Sequence, residues 1–478
     1  MLFVAFLALF AYFVVYLVNH YGNQWLLGNG TSSSAVIGCS RVEVEDVWVK
    51  GIPKLMTESA FRLLDVNRDG VMDILFGFAT GGEGYNVPNI VCDIYFGGKH
   101  PCLGGLLALD GRTGEELWRH YTPHEIFSVT CEEDLNRDGQ ADCVIAGRVG
   151  TMEAVNSLNG QMLWNFTHST ERVDIMNLYT AQFIRDLDGD GVRNCNNSLF
   201  PGSQTRLSGK LLFFSGRTGR LLKSVPVPDE RESYYSPVIY KIRDGTEIVL
   251  FGTGGETHPG SLWYISLMDL YKGDNSKAEQ IYYNKQKGVM TPPVLIDLTN
   301  DGVRDIVFAN YNSTVLALDG QTYRKLWNFS YPMSETYASP APGFFNGDDV
   351  PDFMVHWQHG PGFPVYYHAI STVIDGATGQ PLIKPYIRSS IGAQTSPLTI
   401  SVEGKGNDIF LYWMADCLGH EGKGGQYDFV KGTNVHEKSR SDVCRLRFKS
   451  EGVTHLYALN QHLQNPGSIV YNSGMTIH

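Results

Sequence analysis

Short apolar, β-branched runs alternate with turns rich in glycine and aspartate along most of the chain. Ile74-Leu-Phe-Gly77, Val144-Ile-Ala-Gly147 and Ile306-Val-Phe-Ala309 each follow a polar turn that is itself preceded by a second apolar run. Runs of this length and composition predict strands, and the turn between two of them a hairpin. A second hairpin follows the first, as in Leu106-Leu-Ala-Leu-Asp110-Gly-Arg-Thr-Gly114-Glu-Glu-Leu-Trp118 and Leu316-Ala-Leu-Asp319-Gly-Gln-Thr-Tyr-Arg-Lys-Leu-Trp327. Looser copies start at Phe213, Val373 and Leu456. The repeating unit is four antiparallel strands, A to D. Units begin near Phe61, Phe127, Thr180, Ser236, Thr291, Ser339 and Ser396. Tandem four-stranded units that cannot bury both faces alone predict an all-β fold, a seven-bladed β-propeller. Six or eight blades also fit, because units four and seven have degenerate first hairpins. Val42 to Lys50 is a further strand candidate that would help close the ring.

The A to B turns carry the chemistry. Asp65-Val-Asn67-Arg-Asp69-Gly70-Val-Met-Asp73 recurs as Asp134-Leu-Asn136-Arg-Asp138-Gly139-Gln-Ala-Asp142. Oxygen side chains at positions 1, 3, 5 and 9 around a turn-forming glycine suit a hard cation such as Ca²⁺, which takes about six to eight oxygens. An EF-hand would place a bidentate Glu at position 12 between helices. Phe76, Ile145 and Phe308 stand there instead, at the start of strands. Two copies slip: Asp186, Asp188 and Asp190 are followed by Asn194, and Asp297, Asp301 and Asp305 enclose Thr299. A fifth copy, around Asn346, Asp348 and Asp352, has Phe344 at its first position and reads as metal-free. Asx turns that hold the hairpins without metal are the alternative.

Other features set the compartment. Leu2 to Val18 contains no charge and as a helix would span about 26 Å, close to a bilayer core. Tyr12, Tyr16, Tyr21 and Trp25 fit an interfacial belt. The expected organisation is a transmembrane anchor at 1–27, a juxtamembrane linker at 28–41 and a propeller ectodomain at 42–478. A cleaved signal peptide is the rival, but no charged segment precedes the run and no Ala-x-Ala follows. Sequons at Asn29, Asn165, Asn196, Asn312 and Asn328 all follow the anchor, which predicts a type II glycoprotein with its propeller lumenal or extracellular, most simply at the plasma membrane. Eight cysteines fit that compartment. Local pairs Cys92/Cys102, Cys131/Cys143 and Cys417/Cys444 read as disulfides, with Cys39 and Cys195 as a long-range fourth, among many possible connectivities. The net charge of −12 without a Lys/Arg run excludes nucleic acid as a partner. Four Ca²⁺ ions would offset about two-thirds of that charge.

Topology places the A to B loops and the Asp-Gly-x-Thr-Gly turns between C and D on one face, and the B to C and D to A connections on the other. The long insertions are B to C: Ala79 to Gly105, Thr253 to Ser261, Gln358 to His368 and Ala415 to Thr454. Unit three adds Leu199 to Ser208. Long loops on a rigid scaffold are where binding usually resides.

The Asp-x-Asn-x-Asp-Gly-x-x-Asp loops resemble the FG-GAP calcium repeats of integrin α-subunit propellers. With the anchor, the chain is similar to the integrin-alpha FG-GAP-repeat-containing single-pass type II proteins of the family-with-sequence-similarity two-three-four group. The resemblance implies Ca²⁺ as cofactor at Asp65, Asn67, Asp69, Asp73, Asp134, Asn136, Asp138, Asp142, Asp186, Asp188, Asp190, Asp297, Asp301 and Asp305. It also implies recognition on the opposite face. No inserted adhesion domain is evident, so integrin ligand chemistry does not transfer. The expected function is a non-catalytic protein-binding module, an accessory subunit of a membrane complex in cis or an adhesion-type receptor in trans. A lectin is the alternative, through Tyr85, Trp357, Tyr366, Tyr367 and Tyr427. An enzyme is less favoured: His356, His359 and His368 could hold a metal, and Glu83, Glu256 and Glu421 could converge as in a hydrolase or lyase. The Ala108 to Trp118 turn also resembles the tryptophan-docking repeat of quinoprotein dehydrogenases, but only that copy is complete, and the Trp reads as a buried residue at a blade edge.

Overall fold

A computed structural model of the chain describes residues 38, 40–81, 88, 90–166, 175–201, 208–362, 366–391, 395–401, 406–424 and 443–472. The anchor, Asn29, Cys39, Glu83, Tyr85 and Tyr427 lie outside the described residues. Among those described, no helix is long and apolar enough to cross a membrane.

The first four strands, Arg62–Leu64, Asp73–Ala79, Gly104–Leu109 and Glu116–Thr122, pair antiparallel in sequence order. The same meander recurs from Ile126 to Asn165, Gln182 to Pro226, Val238 to Asn284 and Leu398 to Asn472. Between Val294 and Ser389 two such ladders merge into one eight-stranded sheet, because Ser334 and Glu335 pair with His359 and Gln358. The strands that open the ladders, Arg62–Leu64, Ile126–Glu133, Gln182–Ile184, Val238–Lys241, Val294–Ile296, Ala341–Gly343 and Leu398–Ile400, begin within three residues of the starts expected from the repeat. The architecture is all-β and propeller-like, with few and short helices.

The middle strands are apolar throughout because sheets cover them on both sides. Gly104–Leu109 and Asp305–Asn310 are buried at every position. Cores are shared between consecutive units: Trp164 and Val144 pack with Phe183 and Phe214, and Tyr240 and Leu250 with Ile306 and Phe308. A strand with one wet face would alternate instead.

Tryptophans fasten three of the units to the next. The indole N–H of Trp118 donates to Ser157 O at 2.8 Å, that of Trp164 to Gly216 O at 2.7 Å and that of Trp327 to Gly376 O at 2.6 Å. The turn glycine beneath each ring, Gly160, Gly219 or Gly379, has φ of +72°, +68° or +71° and would press a Cβ within 2.3 to 2.9 Å of the indole. Only glycine meets both demands. The Trp is therefore more than a buried edge residue: it is the joint between units.

Two expectations about segments are corrected. Residues 41–50 form no strand. Val44, Val47 and Val49 stay exposed, at 57, 79 and 58%, and the segment is held by Trp48, whose indole donates to Gly111 O at 3.0 Å. In unit three, strand B runs from Asn194 to Pro201 and gains a partner absent from the repeat pattern, Ile175–Leu178. Its Asn194, Asn196, Asn197 and Ser198 are all buried, so hydropathy alone hid it.

The three local disulfides form as expected, Cys92–Cys102, Cys131–Cys143 and Cys417–Cys444. The fourth does not: Cys195 is a free thiol, buried among Val144, Phe183 and Phe214, and burial raises its pKa.

Candidate functional site

The A to B loops fold as nested Asx turns. In the first, Asp65 accepts the amides of Asp69 and Gly70, each at 3.0 Å, Asn67 Oδ1 that of Asp69 at 3.0 Å, and Asp69 that of Val71 at 2.8 Å. The second repeats this with Asp134, Asn136 and Asp138. A carboxylate oxygen that takes one amide keeps a lone pair for a cation. Gly70 and Gly139 supply the positive φ, +85° and +89°.

Position nine does something the repeat did not reveal. Asp73 is fully buried. Its Oδ2 accepts the amides of Val66 and Asn67 at 2.9 and 3.3 Å, and its Oδ1 accepts Gly111 N at 2.9 Å. Asp142 and Asp305 repeat the bridge to Ser157 and Gly320. So does Asp352, to Gly376, in the copy expected to be metal-free. The residue ties the A to B loop to the C to D turn, which confirms that both lie on one face. Burial pushes the Asp142 and Asp352 carboxyls up to about 6.

The strongest cation geometry is in the third loop, one of the slipped copies. Asp186, Asp188 and Asp190 present carboxylate oxygens that all lie within 4.8 Å of one another. That is about the diameter of a Ca²⁺ coordination sphere with bonds near 2.4 Å. Amides of Gly191 and Gly189 hold the Asp186 carboxyl below the usual range. Asn194, the departure at position nine, accepts Leu187 N through Oδ1 at 2.6 Å and orients Asp188 through Nδ2 at 2.9 Å. It keeps the structural half of the position-nine role. In the loop of Asp297, Arg243 Nη2 donates to Asp301 Oδ2 at 2.9 Å, so a guanidinium already neutralises one carboxylate. These side chains fit a hard cation best in loop three.

Other sequence candidates separate. His356 bonds Ser371 Oγ at 2.6 Å, while His359 faces His368 across the ladder with ring centroids 4.8 Å apart. Among the described residues the one metal-compatible group of His, Cys, Asp and Glu is the aspartate triad, so the three histidines form no centre. Glu421 is exposed and accepts the amide of Gly419 at 2.8 Å, whereas Glu256 accepts the phenol of Tyr337. Trp357 is fully buried between Phe329 and Tyr331 and unavailable to stack on a sugar. Asn165 and Asn328 are exposed at equivalent positions after the docking tryptophans. Asn312 is half-buried. Asn196 is fully buried and its Nδ2 donates to Leu212 O at 3.2 Å, so a glycan there is incompatible with this sheet.

On the opposite face lies a cluster that the repeat pattern did not mark. Lys287 pairs with buried Glu335 and sits 5.0 Å from the Tyr311 ring centroid. Glu335 Oε2 accepts the phenols of Tyr311 and Tyr366 at 3.0 and 2.7 Å. The Tyr311 hydroxyl also lies 3.0 Å from Tyr337 Oη, and Tyr337 donates to Glu256. These residues come from B to C and D to A connections of three units, far apart in sequence. Burial first, then the nearby carboxylates, raises the phenols of Tyr337 and Tyr366.

The sheets, inter-unit tryptophans and paired turns define a β-propeller-type repeat protein with acidic A to B loops. The chain belongs to the FAM234A/B beta-propeller family, whose model matches residues 48–417. It is similar to human Protein FAM234B, 25% identical over 391 residues, covering 74% of this chain and 56% of that protein. It is also similar to rat Protein FAM234A, 30% identical over 190 residues, covering 39% of this chain and 33% of that protein. The chain thus spans about half the length of the curated relatives it matches. Among solved structures, BamB from Moraxella catarrhalis is 13% identical with a TM-score of 0.38, covering 72% of this chain and 76% of that one.

Proposed function

We propose that this chain is a calcium-stabilised, seven-bladed, non-catalytic propeller that serves as a protein-binding module outside a membrane. Loop three holds Ca²⁺ through Asp186, Asp188 and Asp190, and the loops of Asp65, Asp134 and Asp297 bind it more weakly. The Leu2 to Val18 segment anchors the chain as a single-pass type II protein at the plasma membrane, with glycans on Asn165 and Asn328. The B to C face meets a protein partner, in cis as an accessory subunit of a membrane complex or in trans as an adhesion receptor.

The observation that carries the binding reading is the pair of insertions stapled by Cys92–Cys102 and Cys417–Cys444, each carrying a short helix, Ile90–Tyr95 and Val443–Phe448. Both lie on the face opposite the acidic loops. Ile90, Ile94, Tyr95 and Leu418 are left exposed on them, at 58, 65, 57 and 60%. Disulfide-stapled insertions with exposed apolar side chains fit a partner contact. The test is purification of the full chain from native membranes, alongside variants with Ile94→Asp and Leu418→Asp. A partner that co-elutes with wild type and is lost from both variants supports the reading. Monodisperse protein without any co-eluting chain, but with saturable glycan binding, would overturn it.

A further inference from the structure

Successive units share cores in turn, from units one and two, through Leu75 and Val129, to units six and seven, through Met354 and Phe410. The core on the other face of unit one is built differently: Phe76, Phe78, Leu107 and Leu109 pack with Trp48, Ile52 and Leu55 of the segment that precedes the repeats. Trp48 there repeats a docking tryptophan in full. Its indole donates to Gly111 O at 3.0 Å, and Gly114, at φ +70°, would press a Cβ within 2.6 Å of its ring. Val47-Trp48 also matches Leu117-Trp118, Leu163-Trp164 and Leu326-Trp327 in sequence. Those three tryptophans lie on strand D, each opposite an alanine of strand C: Ala108, Ala154 and Ala317. Leu117 and Leu163 pack into cores, whereas Val47 is 79% exposed in a segment that forms no strand. Residues 46–49 thus have the docking half of a strand D without its ladder.

Two apolar walls end the row of units. Leu63 pairs with Ile74, on the Trp48 side of unit one, and is 66% exposed. Leu398 pairs with Leu411, which alternation turns away from the core that Phe410 shares with unit six, and is 62% exposed. The strand A residues Val129, Ile184 and Ala341 of units between are 2, 3 and 5% exposed. Consecutive units packed face to face around a ring bring the two end walls toward one another.

We infer that residues 46–49 are the fourth strand of an eighth ring position, beyond the seven units proposed above, and that this position takes three antiparallel strands from a separate protein partner. Every described strand from Arg62 to Asn472 already pairs within a ladder, so neither this chain nor a second copy of it has described strands to spare. The chain's own repeat is the template for the partner. Its strand C carries a small residue opposite Trp48, in the sequence Ala, then Leu or Val, then Asp or Asn, as at Ala108-Leu109-Asp110, Ala154-Val155-Asn156 and Ala317-Leu318-Asp319. Its strands are apolar on both faces, to cover Leu63 and Leu398 together. Backbone pairing supplies affinity at such an edge, and alternate side chains supply specificity. A completed ring also removes the open edge. The site is separate from the B to C face.

The test replaces Val47→p-benzoylphenylalanine in the full chain, irradiates the producing cells and maps the adducts by mass spectrometry. A second polypeptide cross-linked through a strand of the stated sequence is expected. In the purified complex the amides of residues 46–49 should exchange at least about tenfold more slowly than in the chain stripped of its partner. Leu63→Asp and Leu398→Asp, at exposed positions of the two walls, should each abolish the adduct without moving the melting temperature of the isolated chain, while Ile94→Asp keeps it. Adducts confined to this polypeptide, within one copy or between two, would overturn a separate partner. So would a partner joined through a segment without that strand. An adduct that survives both wall variants, or no adduct at all, would sink the site itself. Loss with Ile94→Asp but not with the wall variants would return the contact to the B to C face.

Discussion

The indole of Trp118 donates to the carbonyl of Ser157 at 2.8 Å, fastening the last strand of one four-strand unit to the C to D turn of the next. Gly160 closes the joint from below, 2.6 Å from the ring if it carried a Cβ. Trp118→Phe keeps most of the packing but orphans the carbonyl and should cost about 1–3 kcal/mol in urea denaturation. Gly160→Ala meets both the ring and a φ of +72° and should cost at least as much. An unchanged midpoint for either would show that the joints do not hold the units together.

Asp305 is 1% exposed and accepts the amides of Leu298, Thr299 and Gly320. Asp305→Ala leaves all three unpaired and should cost about 3–5 kcal/mol. Asp305→Asn should cost markedly less, since Asn194 fills the same position in loop three. Equal losses for the two variants would mean that charge, not hydrogen bonding, is what the site needs.

Calcium should raise the melting temperature of the full chain, by the equivalent of about 2.7 kcal/mol at a free concentration a hundredfold above Kd. Asp188→Ala should remove the largest part of that shift, because its carboxylate belongs to the triad. A chelator that leaves the melting temperature unmoved would exclude a structural ion.

Acid should destabilise the fold through His356. Burial pulls its imidazole down to about 4, against about 6.5 in an unfolded chain. Between those values the unfolded state binds the proton and the folded state does not, so stability falls as pH drops through 6.5 toward 4. The loss reaches at most about 3 kcal/mol for this group. His356→Gln should flatten the slope of stability against pH in that window, read from melts at stepped pH.

Cys195 should resist maleimide in the native protein and react on unfolding, because its thiol is fully buried and raised in pKa. Peptide mapping of labelled protein reads this directly. Native labelling of Cys195 would contradict its place in the core.

Four unit boundaries were legible because their A to B turns carry the same punctuation, with Asp65, Asp134, Asp186 and Asp297 opening the copies. The three local disulfides were legible from spacing. Unit three was partly hidden, since its strand B is rich in asparagine and buried by hydrogen bonding instead of hydrophobicity. Position nine was legible as an acid but not as a bridge, because its partner Gly111 lies 38 residues from Asp73. Which acidic loop gathers its carboxylates was hidden for a related reason. Resemblance to the repeat pointed to the loops of Asn67 and Asn136, while among the described residues the group of three carboxylates within 4.8 Å of one another lies in loop three.

By itself the sequence determined the repeating four-strand unit, the acidic turns and the local disulfides, because each depends on residues close together in the chain. Only the tertiary structure decided which carboxylates converge, that Trp48 takes a docking role beside Gly111, that Cys195 stays unpaired, and that Lys287, Glu335, Tyr311, Tyr337 and Glu256 meet. Those arrangements depend on which faces the sheets turn toward one another, and packing sets that without leaving a period in the sequence.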